Sequence, residues 1–319
     1  MSNLSSKERM IMSLNHQEPN RVPYQVSFVP EMFNLLKNKY LNFIEKNKKS
    51  NSKYDDMKEL DIFLGHDMLD LCHGISLGYY RNVESDTYTD EWGIKWKKVY
   101  YNTINGRGHY TEIIKFPLAN DHSIDDYIPP NPENEDFSYT EEIIKTYGRE
   151  YFISAHIGSS LFEGLKYLRG LTQSLIDVIA NKGIASKIIN MTVDYHLKIG
   201  LKLIEKGIDM LWLADDYGGE DRMLISSDTF RELIKPKMGY MISELKRKNK
   251  NIKIAFHSCG YIEPIIDDLI EIGLDILNPI QPEAMDPAVI KKRYGRKLVL
   301  WGSISNQRTL PFGTPKDVE

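Results

Sequence analysis

Residues 252–260, IKIAFHSCG, join a short apolar run to a polar end. The β-branched and aromatic residues follow a Lys- and Asn-rich turn, and this pattern predicts a short buried strand over residues 253–256. In α/β proteins, functional side chains gather at the carboxyl ends of parallel strands. The segment therefore indicates both a fold class and the position of a site.

Two potential metal ligands follow this strand, His257 and Cys259. Because side chains alternate across a strand, residues two apart point the same way. An imidazole and a thiolate on one side can share a soft divalent metal such as zinc, although two ligands do not complete a zinc site. The alternative is a packing cysteine beside a hydrogen-bonded core histidine.

A second strand end of the same kind occurs at residues 210–219, MLWLADDYGG. An apolar run of strand length leads directly into Asp215 and Asp216. Adjacent carboxylates repel each other, so one of them can have a raised pKa when it is partly desolvated. We predict that Asp215 and Asp216 are catalytic. The alternatives are a solvated loop or an aspartate that caps the next helix.

The composition excludes several classes of protein. The chain has 319 residues, of which 41% are hydrophobic, so it can bury a large core. A net charge of -4 implies no nucleic-acid or anionic-membrane partner. The two cysteines do not form a disulfide framework, which suits a reducing compartment. With no signal segment and no apolar run near the roughly 18 residues of a membrane helix, we expect a cytoplasmic protein.

Strands alternating with helices predict a parallel sheet with right-handed crossovers. An eight-stranded barrel needs one more β/α unit than the pattern provides. We predict an α/β fold, a TIM (β/α)8-like barrel that lacks its last β/α unit, as a single domain over residues 1–319. A doubly wound open sheet is the alternative, but no glycine-rich nucleotide loop follows its first strand. The seven candidate strands begin at Val22, Met68, Phe152, Met210, Lys253, Ile276 and Leu298.

Residues 83–115 differ from this alternation. They are rich in Thr, Tyr, Trp and Val, and they contain the strong turn signal Asn105-Gly106. We predict an antiparallel β-hairpin or small sheet inserted into the barrel.

Several segments together resemble the uroporphyrinogen decarboxylase superfamily, which includes cobalamin-linked methyltransferases. The resemblance covers almost the whole chain and implies a (β/α)8 barrel with its site at the carboxyl ends of the strands. The segments are residues 8–23, 89–93 (TDEWG), 116–119 (FPLA), 158–170 (GSSLFEGLKYLRG), 215–219 (DDYGG), 257–260 (HSCG) and 275–281.

The resemblance also distinguishes branches of the superfamily. Decarboxylases carry an arginine-rich segment after the first strand that binds porphyrinogen carboxylates, but residues 27–32 here, SFVPEM, contain no arginine. The methyltransferase branch carries H-x-C on a barrel strand, as His257 and Cys259 do, and binds zinc to activate a thiol such as coenzyme M. The resemblance therefore implies a zinc-dependent methyltransferase that moves a methyl group between a corrinoid, carried by a partner protein, and a thiol acceptor.

Two other functions stay open. One is a decarboxylase-like carboxy-lyase of porphyrin metabolism, in which Asp215 or Asp216 stabilises a developing cation. The other is a non-catalytic truncated homologue. In each enzymatic case the substrate is a small molecule, and a homodimer is compatible with all three.

The third zinc ligand in the methyltransferase branch is a cysteine well downstream, beyond the last residue of this sequence. Cys72 follows a candidate strand but is a weak substitute, and the alternative is a packing cysteine. We predict instead that Asp216 or Glu220 is the third group, either as a ligand or as a hydrogen-bond partner of the ligands.

Four further polar residues near predicted strand ends are candidates for substrate binding: His156, Glu163, Tyr217 and Gln281. His156 could equally bond a backbone group, Glu163 is stabilised by a helix dipole in any case, and Gln281 could cap a strand. We expect His66 and His73 at the surface.

Overall fold

The computed structural model describes residues 4–47, 55–79, 81, 83–103 and 106–318. Within these ranges the strands form a six-stranded parallel sheet, in the order β1-β5-β6-β7-β8-β9, and a three-stranded antiparallel sheet, β2-β3-β4. Neighbouring strands of the large sheet follow one another along the chain, as in a β/α barrel. The strands are β1 (Met68–Cys72), β2 (Thr87–Thr89), β3 (Lys95–Thr103), β4 (Gly106–Lys115), β5 (Phe152–His156), β6 (Met210–Ala214), β7 (Lys253–His257), β8 (Ile276–Asn278) and β9 (Val299–Leu300).

Helices connect the parallel strands, and the longest is α8. A π-helical turn at Phe230–Ile234 joins α9 to α10. The helices are α1 (Ser6–Leu14), α2 (Pro30–Lys39), α3 (Leu41–Asn47), α4 (Asp55–Phe63), α5 (Ser138–Tyr147), α6 (Phe162–Arg169), α7 (Leu171–Ala180), α8 (Lys182–Lys206), α9 (Ser227–Thr229), α10 (Lys235–Lys248), α11 (Ile266–Glu271), α12 (Pro287–Tyr294), α13 (Thr309–Phe312) and α14 (Pro315–Val318). None of the helices in these ranges has the length and hydropathy that crossing a bilayer requires.

The large sheet is curved into a barrel. Trp212 on β6 and Trp301, which follows β9 three strands away, have ring centroids 4.9 Å apart, and this contact requires the sheet to curl back toward itself. Met68 on the first strand and Ile276 on the fifth belong to one apolar cluster. Leu14 of α1 belongs to the same cluster and closes the amino-terminal end. Helix α1 is itself fixed by a capping box in which Ser5 and Glu8 exchange hydrogen bonds. The predicted TIM-like barrel is confirmed.

The barrel is open, because β1 and β9 are the two edges of the sheet and do not pair with each other. The strand predicted at Val22 is wrong: the following residues are not part of a sheet, and Val22 is 82% exposed. Tyr24 O does accept a hydrogen bond from Asp67 N, but Tyr24 N donates to the Asp67 carboxylate instead of a backbone carbonyl. The Asp67 carboxylate thus replaces the backbone carbonyl that would accept the next hydrogen bond of a β-ladder.

The space between β9 and this extended segment is an apolar cavity of 280 Å³. Its walls include Met68, Met210 and Trp301 from the barrel interior and Pro23 from the extended segment. This apolar cavity therefore lies along the open side of the barrel, away from the polar strand ends.

The inserted antiparallel element is confirmed as the sheet β2-β3-β4, in which β3 and β4 pair over their whole lengths. Asn105 of the predicted turn lies outside the described residues. The side of this sheet that faces the barrel is anchored by Trp96, which is 1% exposed. The indole of Trp96 donates to Asp90 Oδ2 at 2.8 Å.

The surface positions expected for two histidines are wrong. His66 is 1% exposed and packs edge-on against the ring of Tyr24. His73 is 5% exposed, and its two ring nitrogens contact Glu135 at 2.9 Å and Thr140 at 2.7 Å. His66 lies shortly after α4 and His73 directly follows β1, and a position after the end of a helix or strand carries no signal that distant segments will cover the side chain.

Candidate metal centre

The two polar strand ends meet because β6 and β7 are neighbours and Ala214 pairs with His257. The Cys259 Sγ lies 3.3 Å from His257 Nε2, and Asp216 Oδ1 lies 3.7 Å from the same nitrogen. One ligand atom from each of the three residues falls within 4.8 Å of the others. We call this end of the barrel, at the carboxyl ends of the strands, the mouth.

A partner that the sequence did not suggest orients His257. The Asn278 amide donates through Nδ2 to the carbonyl of Trp301 at 2.9 Å, so its Oδ1 faces His257 Nδ1 at 2.6 Å. Nδ1 must therefore carry the proton, which leaves the Nε2 lone pair directed at Cys259 and Asp216. Metal-binding histidines are typically fixed in this way through their other nitrogen. The sequence had suggested Asp216 or Glu220, and not Asn278, as a hydrogen-bond partner of the ligands.

The donor set suits a borderline-soft cation. Sulfur, imidazole nitrogen and carboxylate oxygen are the ligands that zinc uses in proteins, and catalytic zinc sites generally have three protein ligands and one open position. Burial, reinforced by the charge of Asp216, raises the pKa of the Cys259 thiol to about 12. Without a cation the thiol is protonated at neutral pH, so metal binding must release its proton.

The two adjacent aspartates have different roles. Asp216 is 37% exposed and accepts the backbone N–H of Cys259 at 2.8 Å. Asp215 is fully buried and accepts the backbone N–H groups of Leu161 and Glu163 at 3.2 and 2.5 Å. Asp215 thus caps the amino terminus of α6, and burial raises its pKa well above the usual range. Its position corresponds to the helix-capping alternative, and a catalytic role for Asp215 stays a prediction.

A second thiol and imidazole line the mouth on β1 and β5. Cys72 Sγ lies 3.6 Å from His156 Nδ1, and burial lowers the pKa of His156 to about 3. The ring of Trp212 stands between His156 and His257, with centroids 4.8 and 5.8 Å away. Cys72 is exposed, so it is not a packing cysteine, but the three-residue cluster does not include it.

The remaining predicted site residues divide into two groups. Glu163 is near the mouth, bonded to Ser159 at 3.1 Å and to Lys166 at 2.9 Å. Gln281 accepts the Gly260 N–H at 2.9 Å. Tyr217, in contrast, is fully buried. It stacks with the phenylalanines on either side, Phe162 and Phe256.

The burial of Tyr217 gives no support to its predicted role in substrate binding, which stays a prediction. The chain turns after Asp216, so the next side chain enters the core behind the sheet. Its hydroxyl is buried without a hydrogen-bond partner in the described structure.

A comparison with solved structures found a methyltransferase from Methanosarcina mazei, with a TM-score of 0.69 and 14% sequence identity. The match covers 99% of this chain and 88% of that protein. At this identity the likeness establishes the fold and leaves the reaction open. No curated protein matches the sequence.

Among protein families, the model of uroporphyrinogen decarboxylase (URO-D) matches residues 106–319, about two-thirds of the chain. The matched part contains the strands β5 to β9 and all three residues of the candidate metal centre. The chain therefore belongs to the uroporphyrinogen decarboxylase (URO-D) family.

Proposed function

We propose that this protein is a zinc-dependent methyltransferase that moves a methyl group between a corrinoid, carried by a partner protein, and a thiol acceptor. The observation that carries the proposal is the cluster of Asp216, His257 and Cys259, whose ligand atoms lie within 4.8 Å of one another. The corrinoid and its carrier rest on the resemblance of the HSCG segment to the methyltransferase branch. The methyltransferase fold found among solved structures is in line with this proposal.

The chain's own residues have distinct tasks in this proposal. His257 and Cys259 would hold the ion, and Asp216 would be the third ligand. When bound, zinc lowers the pKa of an acceptor thiol and so supplies a nucleophile at neutral pH. Asn278 holds the His257 ring in the tautomer that binds metal through Nε2. His156, uncharged above its low pKa, offers the substrate a neutral hydrogen-bonding group.

A metal-free carboxy-lyase is the second candidate. Its supporting observation is the half-exposed carboxylate of Asp216, which is free to face a developing cation because it has no lysine or arginine partner in the described structure. Residues 27–32 offer no arginine for porphyrinogen carboxylates. Metal content separates the two candidates.

The test is elemental analysis after mild dialysis of three proteins: wild type, Cys259→Ser and the matched control Cys72→Ser. We expect about one zinc ion per chain in wild type and in Cys72→Ser, and a loss of most of it in Cys259→Ser. Equal zinc in all three proteins would contradict the assignment of Cys259. Absence of zinc from all three would contradict the metal centre and favour the carboxy-lyase or a non-catalytic homologue.

A further inference from the structure

Within the described residues, the exposed carboxylate of Glu220, on the loop next to that of Cys259, is held in place by neutral groups alone. The Gln281 Nε2 lies 3.4 and 3.3 Å from the two carboxylate oxygens of Glu220, and Gln307 Nε2 lies 3.1 Å from Oε1. No lysine, arginine or histidine forms an ion pair with Glu220 in the described part of the chain. Its orientation is fixed, but its charge is not neutralised.

The Glu220 loop is joined closely to the loop that carries Cys259. Gln281, which contacts Glu220, also accepts the N–H of Gly260 at 2.9 Å. The N–H of Tyr261 donates to the carbonyl of Gly219 at 2.7 Å. A Cβ added at Gly218 would come within 2.5 Å of the Cys259 carbonyl oxygen, so the two loops touch through their backbones. Glu220 therefore has a fixed position relative to the metal centre.

Two other carboxylates at the mouth, those of Glu163 and Asp216, already have partners that use their charge. Glu163 is bonded to the ammonium of Lys166 at 2.9 Å. Asp216 accepts the Cys259 N–H and belongs to the proposed metal centre. Glu220, in contrast, has a charge that a ligand can neutralise.

We propose that Glu220 recognises a positively charged tail on the thiol acceptor, so that the substrate class is the aminothiols. This inference rests on the proposed function, because it assumes that a thiol binds at the neighbouring metal centre. An ammonium gains at Glu220 an ion pair whose anion is already oriented by two amides, whereas a sulfonate or carboxylate tail is repelled. Glu220 is exposed, so water and salt weaken the pair, and the preference amounts to about fivefold.

The experiment is a calorimetric titration of the zinc-loaded protein with three thiols of equal chain length. Cysteamine has a cationic tail, 2-mercaptoethanol a neutral tail and 2-mercaptoethanesulfonate an anionic tail. We expect the ratio of the cysteamine affinity to the 2-mercaptoethanol affinity to be about fivefold larger in wild type than in Glu220→Gln. Of the three thiols, wild type should bind the sulfonate least tightly. Comparing the two proteins removes the intrinsic differences in acidity among the thiols.

Glu205→Gln is the matched control, because Glu205 is an exposed carboxylate at the far end of α8. It should keep the wild-type order of affinities. If the thiols bind and Glu220→Gln keeps the same tail preference as wild type, the role of Glu220 is wrong while the proposed function stands. If none of the three thiols binds the loaded protein, the proposed function and this inference both fail.

Discussion

At the amino-terminal end of the sheet Asp67 accepts hydrogen bonds from two arginines, whereas at the mouth Asp216 has neither arginine nor lysine beside it in the described structure. Arg9 and Arg21 lie 2.5 and 2.6 Å from the fully buried Asp67 carboxylate, and the Tyr24 N–H adds a further bond. Asp216 has one backbone N–H and an imidazole 3.7 Å away. A fully bonded carboxylate holds the chain together, and a partly bonded one is available to a ligand.

The largest effect that tests this contrast is expected from Asp67→Asn. The substitution leaves the largely buried guanidinium of Arg9 without a counter-charge, so we expect the free energy of unfolding to fall by about 3–5 kcal/mol. Urea unfolding at neutral pH measures it. Asp216→Asn is the matched control and should change the stability by no more than about 0.5 kcal/mol while reducing zinc content. Equal destabilisation by both variants would remove the distinction between the two ends.

A second test uses Asp70 of β1, which follows Asp67 closely in the chain but has no arginine partner in the described structure. Its carboxylate accepts a hydrogen bond from Ser154, and burial raises its pKa to about 6. Because the folded protein binds this proton more tightly than the unfolded chain, stability falls as the pH rises from about 4 to about 6 and the loss persists above. Asp70→Asn should therefore stabilise the protein at pH 7.5, by at most about 3 kcal/mol, and have little effect at pH 4.

Urea unfolding of wild type and Asp70→Asn at the two pH values measures this difference in stability. A gain of the same size at both values would mean that the ionisation of Asp70 is not its source. A loss at pH 7.5 would show that the Ser154 contact requires the carboxylate itself.

The smallest expected effect concerns the hydrogen bond between Asn278 and His257 at the mouth. Asn278→Leu removes the acceptor that fixes the His257 tautomer, and we expect zinc affinity to fall by about 10–100-fold. Competition against a chromogenic chelator measures the affinity. Asn278→Asp retains an acceptor oxygen and should stay near the wild-type value. If Asn278→Leu binds zinc as wild type does, the amide is not needed to orient the imidazole.

The strands from Phe152 onward were predictable, because each is a short apolar run between helices and each pairs with its sequence neighbour. The absence of a strand at Val22 was not predictable. The apolar pattern there is the same whether the N–H of Tyr24 donates to a backbone carbonyl, as in a strand, or to the Asp67 carboxylate, as it does here. The neighbouring positions of Asp215 and Asp216 likewise do not indicate which one turns inward. That depends on the amino terminus of α6, which lies more than fifty residues earlier in the chain.

Asn278 could have been found from the sequence with one more step. It ends β8 and pairs in register with His257, so a parallel alignment of the two strands places their side chains together. The exposure of Cys72 had no such signal, because a cysteine at a strand end looks the same whether a helix or open space faces it.

The position of Trp212 allows binding at the mouth to be followed by intrinsic fluorescence. Its indole lies 4.8 Å from the ring of His156, 5.8 Å from that of His257 and 4.9 Å from that of Trp301. Indole emission responds to nearby charge, so a cation arriving at His257 alters the intrinsic fluorescence without any label. Of the four tryptophans, Trp92 and Trp96 are buried beside or within the inserted sheet and supply a constant background. The intrinsic fluorescence of Trp212 can therefore report the binding of a cation at His257.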